Sequence, residues 1–121
     1  MSDRLNISSG SPYEAQMGYS RAVKQGDFVF VSGTTAGDVG DDAADQAREV
    51  FRRIGAALEQ AGASLSNVVR TRVYLADIAD FDAVGAVHGE VFGEIRPTIV
   101  ILAVAGLAGG LKVEIEADAL V

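Results

Sequence analysis

Two stretches of the chain repeat apolar residues at helical spacing. Between residues 44 and 58, apolar side chains recur every three or four positions and charged side chains occupy the opposite face, which predicts an amphipathic helix. Acidic residues near its start suit the positive end of the helix dipole, and Gly62 is a suitable stop. A second helix is predicted from Asp80, as its N-terminal cap, to about Glu94, before Pro97. The pattern therefore predicts two helices, each with one buried face.

Five segments rich in β-branched and aromatic residues are predicted to form strands. The first two are joined by residues 25–27, a tight turn in which the central glycine can adopt a positive φ. In the third, Thr71, Val73 and Leu75 alternate with more polar residues and are expected to share one face of the sheet. The predicted strands are residues 21–24, 28–32, 68–75, 98–104 and 111–119.

The order of these elements predicts an α+β fold in one domain, residues 1–121, with a mixed sheet and two helices on one of its faces. Two helices can cover only one face, yet the strands are apolar on both sides. We therefore expect the second face to be buried against another copy of the chain, although the pattern does not specify the number of subunits. One face is expected to hold Phe28, Phe30, Val100, Leu102, Val104, Val113 and Ile115, and the other Val29, Val31, Ile99, Ile101 and Ala103.

Composition narrows the classes of function. The chain has no Cys and one His, which excludes a disulfide framework, a thiolate zinc site, a cysteine nucleophile and a multi-histidine metal centre within one chain. Its net charge of −7 argues against nucleic acid as a partner, because phosphate binding needs a clustered basic surface. The longest apolar stretch, residues 99–110, is well short of the roughly 20 residues of a membrane-spanning helix, and residues 1–6 lack the apolar core of a signal peptide. A cytoplasmic protein with no membrane partner is expected.

Glu114 is the main candidate for acid–base chemistry. Glu114 and Glu116 lie two apart in a predicted strand and therefore share one face. Either carboxylate could face solvent, but Glu114 lies in an otherwise apolar strand, where a carboxylate needs a partner or a role such as positioning a water. Arg72 and Arg96 are the candidate partners. Arg96, directly before Pro97, could bind a substrate carboxylate in bidentate fashion or form a surface salt bridge.

His88 lies among apolar residues of the second predicted helix. A Ser-His-Asp triad would have to use it, since the chain has no other histidine. It is interpreted either as a half-buried helix residue near an interface or as a ligand-binding or proton-shuttle group. The glycines of residues 106–110 lack the Lys and Ser/Thr of a phosphate-binding loop and are expected to connect two strands.

Three groups of segments, in order along nearly the whole chain, point to one family. The last group contains Val-Glu-Ile-Glu-Ala at residues 113–117, a fairly specific element. The chain resembles the Rid family of reactive intermediate/imine deaminases, also called YjgF-like or endoribonuclease L-PSP-like proteins. The three groups are residues 18–23 with 28–33, residues 69–75 with Asp77 and Phe81, and residues 96–98 with 104–107 and 113–117.

This resemblance implies a chorismate-mutase-like fold and a homotrimer in which the sheets form a central barrel with three clefts between subunits. It also implies hydrolysis of 2-aminoacrylate and similar enamine or imine intermediates to 2-keto acids and ammonia, without a cofactor. Carried over residue by residue, Tyr19 matches a Tyr that lines the family's cleft, Ser32 matches a cleft Ser, and Glu114 matches the Glu that positions the attacking water.

One position departs from the family pattern. Ile99 occupies the place of the Arg that binds the substrate carboxylate, and Arg96 lies three residues earlier. Losing this charged, bidentate contact removes roughly 1.5–3 kcal/mol of binding. An apolar side chain there favours a less charged ligand, and Arg72, His88 or Arg96 could supply compensating polar contacts.

Two functions of different classes stay open on the sequence. The first is an enzyme of a subgroup lacking the deaminase Arg, which binds a small metabolite at subunit interfaces and hydrolyses an enamine-like or imine-like substrate. The second is a non-catalytic ligand-binding or stress-protective trimer. A ribonuclease, suggested only by the older family label, is disfavoured by the acidic charge and the lack of a His pair. The candidate site residues are Glu114 and Tyr19 as catalytic groups and Ser32, Arg72, His88, Arg96 and Ile99 as substrate-binding groups, with no metal and no cofactor expected.

Overall fold

A mixed six-stranded sheet carries two long helices on one of its faces. The computed structural model describes residues 3–121. The α+β class and the mixed sheet predicted from the sequence are confirmed. The strands are β1 (Arg4–Ile7), β2 (Ala22–Gln25), β3 (Phe28–Thr34), β4 (Val68–Leu75), β5 (Thr98–Ala103) and β6 (Val113–Leu120). The helices are α1 (Pro12–Met17), α2 (Ala43–Gln60) and α3 (Phe81–Phe92), with short 3-10 turns at Leu65–Asn67, Ile78–Asp80 and Ala108–Gly110.

The strands lie side by side in the order β1-β2-β3-β6-β4-β5. All neighbours are antiparallel except β4 and β5, which are parallel. Parallel neighbours need a crossover connection, and α3 supplies it. The predicted hairpin is formed by β2 and β3, with Gly26 at φ +59° in its turn. Strand β6, the last in the sequence, lies between β3 and β4 and joins the two halves of the sheet.

The hydrophobic core lies between the sheet and helices α2 and α3. Helix α2 begins after Asp42, whose side chain accepts a first-turn backbone N–H at 2.8 Å, and the left-handed Gly62 (φ +78°) follows its end. Thr71, Val73 and Leu75 of β4 are fully buried, as their alternation predicts. Within residues 3–121, none of the helices is both long enough and apolar enough to cross a membrane.

The predicted grouping of β6 with the open face of the sheet is wrong. Val113 and Ile115 were expected beside Phe28 and Phe30, yet both have no solvent-exposed area and belong to the core, whereas Phe28 is 54% exposed. Alternation along one strand shows which residues share a face within that strand. It does not relate those faces to the faces of a distant strand, because pairing between β3 and β6 sets that relation.

The segment that contains β1 and α1 is absent from the sequence prediction. Strand β1 has four residues, three of them exposed, and α1 has six residues. Neither element is long enough to show a hydrophobic repeat in the sequence. Asp80 was expected to cap the second helix, but its side chain makes no capping hydrogen bond. Asp77 instead accepts the backbone N–H of Ala79 at 2.9 Å, because a 3-10 turn precedes α3.

The face of the sheet opposite the helices is polar along β4 and β6 and apolar along β3 and β5. At its centre the Tyr74 hydroxyl donates to Glu116 at 2.5 Å, and this hydrogen bond raises the pKa of Tyr74. Phe28 and Phe30 of β3 stack with their ring centres 6.0 Å apart. The open face therefore combines a polar centre with apolar flanks. Its exposed apolar side chains include Phe28, Phe30, Val100 and Leu102.

Candidate functional site

A groove beside β3 and α2 brings together two residues that the sequence singles out. Tyr19 and Glu114 both line this groove, which has a volume of about 1100 Å³. Residues 9–13, the exposed side of α2 and the turn at 108–109 contribute the other walls. The groove is also lined by Arg21, Gly33 and Arg53.

The carboxylate of Glu114 packs against Gly33 and has no hydrogen-bond or ion-pair partner among residues 3–121. Alternation along β6 turns Glu114 away from the core, and it is half-buried in the groove. It lies so close to Gly33 that a Cβ at residue 33 would be 2.6 Å from Glu114 Oε2. Within residues 3–121 this carboxylate forms no hydrogen bond and no ion pair. Its oxygens are therefore available to accept a proton from a water molecule in the groove.

Tyr19 and Arg21 enter the groove from the segment between α1 and β2. Gly18, at φ +73°, ends α1 and turns the chain toward β2. The Arg21 guanidinium lies 5.9 Å from the centre of the Tyr19 ring, and its Nη2 donates to the carbonyl of Gly33 at 2.6 Å. Its Nε is buried and has no acceptor among the described residues. One glycine, Gly33, thus contacts Arg21 through its carbonyl and Glu114 through its Cα.

Ser32 faces a second, smaller groove on the other side of Tyr19. This groove has a volume of about 470 Å³, and Tyr19 and Ser32 both line it. The Ser32 hydroxyl donates to the backbone carbonyl of Ser20 at 2.7 Å. That bond ties the end of β3 to the segment that carries Tyr19, so the position of Tyr19 depends partly on Ser32.

Two arginines of α2 form the rim of the larger groove. Arg52 and Arg53 both donate to the carboxylate of Glu49, at 2.6 and 2.7 Å. These hydrogen bonds, from Arg52 first, lower the pKa of Glu49 to about 2. Arg53 also donates to the carbonyl of Thr35 at 3.1 Å. The rim keeps one net positive charge, which attracts anions toward the groove.

Three predicted substrate-binding residues lie outside both grooves within one chain. Arg72 pairs with Glu116 and Asp118 on the open face of the sheet, at 3.8 and 3.3 Å, and not with Glu114. Arg96 is exposed and folds back to donate to the carbonyl of Gly93 at 3.1 Å. Ile99 is 45% exposed on β5, and strands β6 and β4 separate it from β3. The Arg partner proposed for Glu114 is therefore neither Arg72 nor Arg96 in this arrangement.

His88 belongs to the core and lines neither groove. Its Nε2 lies 2.9 Å from Oγ1 of Thr71, and both residues are buried. Its ring packs against Phe51 and Phe92, with ring centres 5.8 and 4.6 Å away. In the described part of the chain, no group of three or more His, Asp or Glu side chains could hold a metal ion. His88 is therefore a helix residue that is more deeply buried than the half-buried position expected from the sequence, and its predicted role in ligand binding stays a prediction.

The stability of the fold is expected to fall as His88 becomes protonated. Burial lowers the pKa of His88 below its ordinary value of 6.5, so the unfolded chain binds a proton at a higher pH than the folded chain does. The contribution of the neutral His88 ring to the free energy of unfolding is fully present above about pH 6.5. It is lost as the pH falls through the lowered pKa that His88 has in the folded chain. Denaturant unfolding followed from about pH 7.5 to about pH 5.5 measures this loss.

A His88→Gln variant is the control, because Gln can still bond Thr71 and does not titrate. Since the chain has one His, the pH dependence in this range is expected to shrink in the variant. An equal pH dependence in both proteins would show that His88 is not its source.

Arg21, Gly33 and Arg53 are among the groove residues for which the sequence predicts no role. Gly33 does carry a signal, because a glycine at the end of an apolar strand often marks a close approach of another group. Arg21 lies inside a segment that carries the family resemblance, but charge and spacing do not indicate where its side chain points. Arg53 is one of several charged residues on the exposed face of α2, and only the approach of Thr35 distinguishes it.

Comparison with known proteins places this chain in a family. A family model described as Endoribonuclease L-PSP matches residues 10–121. A crystal structure from Mycobacterium tuberculosis, described as a member of the highly conserved YjgF/YER057c/UK114 family, matches with a TM-score of 0.95 and 52% identity, covering 98% of this chain and 100% of that one. An uncharacterized protein of Streptomyces coelicolor is 41% identical over 119 residues, covering 92% of this chain and 89% of the relative. The 2-iminobutanoate/2-iminopropanoate deaminase of Homo sapiens is 34% identical over 108 residues, covering 84% of this chain and 79% of the relative. The chain therefore belongs to the Endoribonuclease L-PSP family, also known as the Rid or YjgF family.

Proposed function

We propose that this protein hydrolyses small imines, or the enamines that tautomerise to them, to a carbonyl compound and ammonia without a cofactor. The observation that carries the proposal is the carboxylate of Glu114, which has no hydrogen-bond or ion-pair partner among residues 3–121 and lies against Gly33 in a groove that Tyr19 also lines. A relative with 34% identity is named 2-iminobutanoate/2-iminopropanoate deaminase, which supports the same class of substrate.

Glu114 would act as the general base and then as the general acid. Glu114 accepts a proton from water as the water oxygen adds to the carbon of the protonated imine, which gives a neutral carbinolamine. It then gives this proton to the nitrogen as the carbon–nitrogen bond breaks and ammonia leaves. The carbinolamine hydroxyl loses its proton as the carbonyl forms, and ammonia takes up this proton as ammonium. The net reaction consumes one water and needs no oxidant or reductant. Tyr19 would line the site beside the reacting group, and Ser32 would hold the Tyr19 segment in place.

We extend the proposal to a homotrimer of one-domain subunits, residues 1–121, acting in the cytoplasm. The exposed apolar residues along β3 and β5 support assembly, because such a surface is costly to leave in water. The sequence without Cys fits a reducing compartment. In a trimer with clefts between subunits, Ile99 on β5 could border the groove of a neighbouring copy even though it lies outside the groove of its own chain.

The test is release of ammonia from 2-aminoacrylate generated in place, with the human deaminase as the positive control. Turnover is expected above the rate of spontaneous hydrolysis, because the Glu114 groove supplies a positioned base. The oligomeric state is measured on the same sample by sedimentation equilibrium, where a trimer is expected. Absence of turnover from an assembled trimer would contradict the proposed enzyme.

A non-catalytic ligand-binding or stress-protective trimer is the second candidate function. Ile99, which stands where the family resemblance places the carboxylate-binding Arg, favours it. If wild type is inactive on 2-aminoacrylate and Ile99→Arg is active, the second function applies to the natural protein.

A further inference from the structure

We propose that Arg21 binds the anionic group of the ligand in this groove, in the role that Ile99 cannot fill. The inference rests on the proposed function in one respect, since it takes the Glu114 groove as the site of the ligand. It adds the residue that binds the carboxylate of such a ligand.

The need for a cation follows from the chemistry of the substrate class. A 2-imino acid carries a carboxylate directly bonded to the imine carbon. Burial of that carboxylate beside Glu114 requires an opposite charge, because two carboxylates in one groove repel each other. Ile99 is apolar and lies outside the groove of its own chain.

Three arginines line the groove, and Arg21 is placed differently from the other two. Arg52 and Arg53 are both bound to the carboxylate of Glu49 on the α2 rim. Arg21 forms no ion pair among residues 3–121, although its charge contributes, after hydrogen bonds from Ser9, to the lowered pKa of Glu14. No direct ion pair within the described residues therefore occupies its guanidinium.

The hydrogen bonds of Arg21 leave donors unused. The guanidinium donates to the Gly33 carbonyl, while its buried Nε has no acceptor among the described residues. A small rotation of the guanidinium toward a carboxylate would give Nε and one Nη a pair of acceptors. Arginine is suited to this planar, bidentate arrangement.

The position of Arg21 relative to Glu114 fits a ligand with adjacent functional groups. Gly33 receives the Arg21 hydrogen bond on its carbonyl and packs against the Glu114 carboxylate at its Cα. A ligand over Gly33 can therefore place its carboxylate at Arg21 and the neighbouring carbon at Glu114. The absence of a side chain at Gly33 lets the Glu114 carboxylate come this close to the backbone that Arg21 also reaches, since a Cβ there would lie 2.6 Å from Glu114 Oε2.

The experiment measures binding of 2-oxobutanoate, the keto acid of this class, by isothermal titration calorimetry, beside its uncharged amide. Arg21→Gln is expected to raise the Kd for 2-oxobutanoate by about 10- to 100-fold, the usual effect of losing a hydrogen-bonded charge. Binding of the amide is expected to change much less. Arg48→Gln is the matched control, because it removes an exposed arginine of α2 outside the groove and should leave both Kd values unchanged.

Turnover of 2-aminoacrylate by the same variants separates this proposal from the proposed function. Turnover by wild type with an unchanged Kd and KM in Arg21→Gln would overturn the role of Arg21 and leave the enzyme intact. Binding that depends on Arg21 without any turnover would keep the anion site and refute the hydrolase. If Arg21→Gln does not fold, Arg21→Lys keeps the charge but loses the bidentate geometry, and a smaller rise in Kd is expected. No binding of 2-oxobutanoate to folded wild type would also overturn the proposal.

Discussion

Glu114→Gln is expected to lower the kcat of imine hydrolysis by about 10²- to 10⁴-fold, the usual contribution of a positioned acid–base group. Gln has nearly the same shape as Glu, so packing against Gly33 is retained while the ability to accept the proton of water is lost. Glu114 makes no hydrogen bond or ion pair within residues 3–121, and the thermal midpoint should therefore change little. The rate of ammonia release and the melting temperature of the same samples check both statements.

Glu116→Gln is the matched control for Glu114. Glu116 lies two residues along the same strand and on the same face, but it accepts a hydrogen bond from Tyr74 and lies 3.8 Å from Arg72. Its replacement is expected to affect the polar centre of the sheet and hence stability or assembly, with kcat much less changed than in Glu114→Gln. Equal losses of kcat in the two variants would mean that the charge of this sheet face matters and that Glu114 has no special role.

Ile54→Ala is expected to lower the free energy of unfolding by about 2–5 kcal/mol. Ile54 has no exposed area and lies in the core between α2 and the sheet, so its truncation removes buried apolar contacts and leaves a cavity. A loss of this size is a large part of the total stability of a domain this long, which is about 5–15 kcal/mol. Denaturant unfolding at fixed protein concentration measures it, since assembly makes apparent stability depend on concentration.

Ile78→Ala tests whether burial is the cause. It deletes the same atoms from a side chain that is 57% exposed, in the 3-10 turn before α3. Its effect is expected to be within about 0.5 kcal/mol, as for most surface substitutions. A comparable loss in both variants would indicate that helix propensity or the unfolded state, and not the core, governs the cost.

Local sequence patterns predicted the bounds of an element well where the hydrophobic repeat extended over many residues. The strand at residues 68–75 has the predicted bounds, and α2 extends the predicted helix by one or two residues at each end. The placement of Glu114 and Glu116 on one face also follows from alternation alone. The short β1 and α1 segments were missed, because four or six residues cannot establish a period.

The candidate site was only partly predictable. Tyr19 and Ser32 came from matching segments to a family, whereas Glu114 came first from its position in an apolar strand and then from the same match. The structure brings Tyr19 to one groove with Glu114 and to a second groove with Ser32. Arg72 and Arg96 were considered as partners for Glu114 because of their charge, but one is paired on the sheet face and the other folds onto the end of its own helix. Residue type indicated possible chemistry, whereas contacts decided whether the residues could act together.

Local sequence patterns were sufficient to predict the α+β class, the two amphipathic helices and the shared face of Glu114 and Glu116. These follow from interactions between residues close together in the chain, which a local pattern records. Three features depend on contacts between distant segments: β6 lies between β3 and β4, Glu114 packs over Gly33, and Arg21 reaches the same glycine. Strand pairing joins segments that are far apart in the sequence, and no local period specifies which strands will pair.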